Sequence, residues 1–215
     1  MPAEHARFDH PIFSESIRLI RAALEPDAAL ADLSPVQQDV LLRLIHSSGD
    51  LNLAPLLRFS AGACEAGLQA LVAGAPILTD TAMAAAAVAP MARRTFGNAV
   101  RSVLDWAPAH APVGGTRAAA GMEQALRAHP GAVVLIGSAP TTLELLLEQV
   151  AAGRTPAPAL VIGMPVGFVG VAESKRHLAA SGLPQIRLEG SRGGAGLVGA
   201  AVNALLRRAW LDQAA

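Results

Sequence analysis

Apolar and polar positions along the chain fall into two alternating periods. Short apolar runs at residues 76–79, 99–104, 132–136, 159–162 and 185–188 predict five strands. Between and before them, apolar residues recur at helical spacing over 11–24, 35–46, 61–73, 116–128, 141–152, 172–180 and 197–208. Val133-Val134-Leu135-Ile136 and Leu160-Val161-Ile162 are uninterrupted apolar runs, the pattern of strands covered on both faces. Strands alternating with helices of this length predict βαβ units in an open, doubly wound, mostly parallel α/β sheet of five strands. Roughly the first sixty residues are helical in pattern and are expected to wrap one edge or face of that sheet.

The helix predicted from Pro35 is well punctuated. Ser34 suits the N-cap, Pro35 the first helical position and Gly49 the C-terminal stop. Val36, Val40, Leu44 and Ile45 form its core stripe. His46 falls on the other side, beside Asp39, Leu42 and Arg43. Near a helix C-terminus the dipole favours the protonated imidazole, which suits a proton donor. Burial in a cleft opposes it. A surface histidine and a catalytic acid both satisfy this pattern.

The chain has 215 residues, 52% of them apolar, which fits one domain over 1–215, with residues 1–10 expected to form a flexible tail. Seventeen basic and 17 acidic residues cancel, so no nucleic-acid surface is expected. The opening residues lack a basic-then-apolar leader, and the most apolar stretch, 82–92, is short and interrupted by Pro90. A soluble cytoplasmic protein without membrane contact is expected. Cys64 is the single cysteine and is expected to be packed and inert, with no disulfide and no multi-cysteine zinc site. His5, His10, His110, His129 and His177 make no HxH or HxxxH pair, so no metal site is expected. With no tyrosine, acid–base chemistry falls to His, Asp, Glu, Lys or Cys.

Candidate binding residues gather where strands give way to helices. The string from Val161 to Lys175, VIGMPVGFVGVAESK, places Gly163, Gly167 and Gly170 after an apolar run, where open α/β folds bind ligands. A tight connection without a ligand satisfies the same spacing. Gly137-Ser138-Ala139-Pro140-Thr141-Thr142 opens a helix and suits either an anion site or plain capping. Arg117 also stands at a helix start, where an anion to grip would explain a basic residue, though an ordinary surface arginine satisfies the position too. Arg43, Arg58, Arg93, Arg94, Arg101 and Arg192 are further cations that can share this work. Gly194-Ala195-Gly196-Leu197-Val198-Gly199 spells GxGxxG, but the short stretch after it leaves no room for the rest of a dinucleotide fold. A close-packed glycine turn is expected instead. No GxSxG elbow supports serine catalysis.

Read together, these segments resemble the precorrin-8X methylmutase family of cobalamin biosynthesis. Ile12-Phe13-Ser14-Glu15-Ser16, Arg43-Leu44-Ile45-His46, Gly74-Ala75-Pro76-Ile77-Leu78, Thr116-Arg117, Ala139-Pro140-Thr141, GMPVGFVGVAESK and Arg192-Gly193-Gly194 occur in the family's order. The resemblance implies a flavodoxin-like fold, a homodimer, no cofactor and a tetrapyrrole substrate. The implied reaction moves a methyl group from C11 to C12 of the macrocycle by a 1,5 shift. It implies His46 as the catalytic proton donor, with Ser16 and Arg117 binding the substrate's periphery. The acetate and propionate arms of such a substrate also suit Ala139, Thr141, Gly163, Gly167, Gly170 and Arg192. Gly115, Ala118, Ser138 and Thr79 depart from the commoner family residues. The alternatives are a non-catalytic corrinoid carrier of the same fold, or an unrelated α/β enzyme holding a phosphorylated molecule at 137–141.

Overall fold

The computed structural model describes residues 8–213 and contains one six-stranded sheet. Its strands are β1 (Leu57–Phe59), β2 (Ile77–Thr79), β3 (Val100–Ser102), β4 (Val133–Ile136), β5 (Leu160–Gly163) and β6 (Gln185–Leu188), in the order β1-β6-β5-β4-β2-β3. β2 through β6 pair in parallel, while β1 runs antiparallel to β6 with Leu57 opposite Leu188. Counted in chain order from β2, the parallel strands lie 2-1-3-4-5, the flavodoxin-like arrangement with its switch point between β2 and β4. The expected count of five strands is corrected to six. Leu57-Arg58-Phe59 is too short to display an alternation, and pairing with β6 defines it as a strand.

Eight α-helices flank the sheet among the described residues: α1 (Pro11–Leu24), α2 (Pro35–Ser48), α3 (Ala63–Val72), α4 (Ala82–Arg94), α5 (Arg117–Ala128), α6 (Pro140–Ala151), α7 (Val171–Ala180) and α8 (Ala195–Gln213). Successive strand residues point to opposite faces, so two cores form. Ile77, Leu135, Leu160, Ile162 and Ile186 pack under α2, α3, α4 and α8, with α1 laid over α2. Leu78, Val134, Ile136 and Val161 pack under α5, α6 and α7. α4 has no counterpart among the predicted helices. Pro90 interrupts its pattern, yet Thr81 caps it by accepting from the Ala84 amide, and Ala84, Val88 and Ala92 bury one face. A Cβ on Gly199 would lie 3.0 Å from the Ala87 Cβ, so the GxGxxG string serves close packing of α8 on α4.

Cys64 is 2% exposed on α3, and burial pushes its thiol up to about 12. The folded protein should therefore resist a colorimetric thiol reagent at pH 8 and react once urea unfolds it. Fast labelling of the native state would contradict this packing.

Candidate active site

His46 occupies the last turn of α2. That helix is held by a reciprocal Ser34–Gln37 capping box and stops at Gly49, whose φ of 69° needs no Cβ. α1 covers the side of α2 that bears His46. His10 caps α1 by accepting from the Ile12 amide, and Asp9 pairs with Arg207 of α8, so these residues are anchored, unlike the frayed start expected of His10. His5 lies outside the described residues. Phe13 and Ser16, three residues apart on α1, thereby meet His46: Ser16 Oγ lies 2.8 Å from Nδ1, and the Phe13 ring stands edge-on at 5.1 Å. The imidazole Nε2 has no hydrogen-bond partner among the described residues.

His46 is partly buried in the structure. Desolvation lowers its proton affinity below the usual 6.5, and the nearby Arg43 guanidinium lowers it further. The imidazole is held through Nδ1 and open at Nε2, and its protonated form is disfavoured relative to an ordinary histidine.

Arg117, Ala139, Thr141, Gly167, Gly170 and Arg192 lie beyond the carboxyl ends of the parallel strands and Gly163 closes β5, but their backbone groups are largely committed to the protein. Asp80, directly after β2, has no exposed surface. One of its oxygens accepts from the amides of Gly137 (3.1 Å), Ser138 (2.6 Å) and Ala139 (2.9 Å). The anion cradle at the start of α6 is thus filled by the chain's own carboxylate, at the topological switch point. Desolvation raises the Asp80 carboxyl above its usual 3.8, against the lowering effect of those amides. Thr141 Oγ1 lies 3.0 Å from Thr116 Oγ1, joining the starts of α6 and α5. Arg117 opens α5, exposed, with Nε donating to the Pro108 carbonyl at 2.9 Å.

The glycine loops are similarly tied. Gly163 is buried in β5, where a Cβ would lie 2.4 Å from Leu178 Cδ2, so its bareness admits α7. Gly167 donates to the Ser191 carbonyl at 3.1 Å, and Gly194 donates to the Met164 carbonyl at 2.9 Å, which joins the loops after β5 and β6. Gly170 begins α7 with φ of 68°, and the Arg192 guanidinium pairs with Asp50 at 2.7 Å. Phe168 and Val169 stand 94% and 89% exposed at this edge.

Sequence reasoning missed Lys175, although it is the only lysine of the chain. Its ammonium is buried and donates to the carbonyls of Gly190 (2.8 Å) and Arg192 (2.6 Å), clamping α7 to the loop after β6. Burial lowers it from 10.5 to about 8. A folded-state value below the unfolded one makes stability rise as pH climbs through about 8 toward 10.5. Above the usual thiol value of 9.0, Cys64 acts in the opposite sense, since its folded-state value is raised. Urea unfolding at pH 7.5 and pH 9 should accordingly show a gain of about 1 kcal/mol that Lys175→Met lacks. An equal gain in the variant would contradict the assignment.

Among the described residues no three His, Cys, Asp or Glu side chains cluster to hold a metal, and no helix is long and apolar enough to cross a membrane.

The family model for precorrin-8X methylmutase matches residues 11–208. The chain is 43% identical to the precorrin-8X methylmutase of Pseudomonas aeruginosa, with 94% of this chain and 97% of that one covered. It is 37% identical to the cobalt-precorrin-8 methylmutase of Synechocystis, covering 95% and 98%. The crystal structure of a precorrin-8X methyl mutase from Thermus thermophilus superposes with a TM-score of 0.80 at 42% identity, covering 94% and 96%.

Proposed function

The chain belongs to the precorrin-8X methylmutase family, and from that premise we propose that it isomerises precorrin-8X, or its cobalt-bearing form, by moving a methyl group from C11 to C12. The product is hydrogenobyrinic acid or cobyrinic acid. The observation that carries the mechanism is the Ser16–His46 pair, with Nδ1 engaged at 2.8 Å and Nε2 open. The C11–methyl bond breaks and the C12–methyl bond forms within one molecule, so no atom enters or leaves. His46 protonates the ring system to favour the shift and recovers a proton as the product forms. Ser16 and the Phe13 edge fix the imidazole, which leaves much of the rate to positioning and exclusion of water.

Arg117, exposed at the start of α5, binds a peripheral carboxylate. Thr141 lies beside it, and the Gly167 and Gly170 loop lines the same strand edge, with Phe168 and Val169 offering apolar surface to the macrocycle. Ala139 and Arg192 act through the loops they hold, and Gly163 through the packing of α7. The proposal extends to a homodimer of single-domain chains working in the cytoplasm. Sedimentation should give twice the 22.0 kDa chain mass, and a monomer at micromolar concentration would remove that part.

The test of the reading is a visible-absorption titration with hydrogenobyrinic acid. A saturable spectral change is expected. An unchanged spectrum, with no protection against thermal unfolding, would sink the methylmutase assignment.

A further inference from the structure

The crevice at the switch point is closed by a charge of the chain's own. Asp80 follows β2 and the Gly137–Ala139 turn follows β4, the parallel neighbours from which the strand order runs in opposite directions. Asp80 Oδ2 accepts from three successive amides of that turn, those of Gly137, Ser138 and Ala139, at 2.6–3.1 Å. Oδ1 is buried with no hydrogen-bond partner, and no cation among the described residues pairs with the carboxylate. A second helix head abuts the first. A Cβ on Gly137 would lie 2.7 Å from the Ala195 amide nitrogen, so α8 begins against the turn that opens α6. Both helix dipoles present their positive ends here.

We propose that Asp80 is a specificity-determining residue: its carboxylate fills the place where a phosphate would sit at the switch point, and so keeps phosphorylated ligands out of that crevice. Successive amides converging on one oxygen at a helix start are the geometry that receives a phosphate oxygen. Open sheets of this strand order take a phosphorylated cofactor at the same point. Capping alone does not call for a carboxylate, because a hydroxyl or amide side chain caps a helix as well. A buried carboxylate with one oxygen left unmatched is a costly way to do it. What Asp80 adds is negative charge, which repels a second anion at close range. Ser138, in the middle of the turn, is exposed, so an anion from solvent has a short way to the cradle once the side chain is removed. Independently of the methylmutase reading, the filled cradle leaves no room for the phosphorylated molecule considered at 137–141.

The experiment compares thermal unfolding of wild type, Asp80→Ala and Asp80→Asn in sodium chloride, sodium formate and sodium phosphate at matched ionic strength and pH 7. Asp80→Ala vacates the cradle, Asp80→Asn keeps it filled without charge, and formate stands in for the lost carboxylate. Relative to chloride, Asp80→Ala should gain about 3–6 °C in Tm in about 100 mM formate or phosphate, the shift given by an anion at about ten times its Kd. Neither wild type nor Asp80→Asn should gain it. If Asp80→Ala does not fold in chloride, recovery of its folded state on dilution from urea into phosphate or formate replaces the Tm reading. Equal gains in all three proteins would overturn the proposal, as would an Asp80→Ala protein that neither gains nor recovers in either anion. A gain in formate without one in phosphate would overturn the exclusion of phosphorylated ligands. No corrin is present in these mixtures, so each outcome leaves the methylmutase reading untouched.

Discussion

Replacing His46 by alanine should lower turnover of precorrin-8X by about 100- to 10,000-fold, the usual contribution of a positioned general acid. Affinity for hydrogenobyrinic acid should change only a few-fold, because the imidazole contributes one of many contacts to a large ligand. The contrast between lost turnover and retained binding distinguishes a catalytic role from a structural one. Its location supports the same outcome: His46 is only half-buried, so its removal leaves no closed cavity in the core. The pH profile has a definite sign. The acid form is required, and in the free protein His46 releases its proton below the usual 6.5. kcat/KM should therefore fall on the alkaline side with a midpoint under that value, while kcat retains activity to higher pH if the bound substrate raises it. Normal turnover by His46→Ala would refute the assignment outright.

The second large effect is expected at Asp80. Its carboxylate satisfies three amides at the head of α6. Asp80→Ala would leave all three without an acceptor, at a cost of about 3 kcal/mol or more. For a chain of this size that is a fall in Tm of about 6–12 °C. Asp80→Asn keeps an acceptor oxygen and should lose well under half as much. Because burial raises the Asp80 carboxyl above 3.8, its ionisation works against the folded state. The contribution of the wild-type group is fullest below its unfolded value and declines as pH rises through its folded one. The Asn variant should therefore gain on wild type between acid and neutral pH. Calorimetry at pH 4 and pH 7 checks this, and an equal loss in the Ala and Asn variants would show that the three amides do not depend on the side chain.

The sequence displayed some of this architecture directly and concealed other parts for physical reasons. Ser34, Pro35 and Gly49 bracket α2 because capping is a local matter, settled by residues adjacent in the chain. β4 and β5 were visible because both faces are covered, which leaves no polar position in them. β1 was hidden because three residues owe their extended conformation to β6 alone. α4 was hidden because Pro90 weakens its pattern, while the surface that secures it comes from α8.

At the site, His46 and Ser16 were each singled out by the family resemblance, the one as proton donor and the other as a substrate contact, but their pairing at 2.8 Å was not; spacing within α2 placed His46 only on a face opposite the core. That face proved to be covered by α1, a tertiary fact. The cradle at Gly137–Ala139 was legible as a place for an anion. Its occupant was not, since Asp80 lies 57 positions earlier and reaches it only through the β2–β4 pairing. Lys175 could have been singled out as the chain's sole lysine. Its two carbonyl partners required the loop geometry.

The most direct measurement is the visible spectrum of precorrin-8X incubated with catalytic amounts of the wild-type protein. The account predicts steady conversion to hydrogenobyrinic acid over many turnovers, with His46→Ala leaving the substrate spectrum in place. Stoichiometric binding by wild type with no conversion would contradict it and identify a corrinoid carrier built on the same fold.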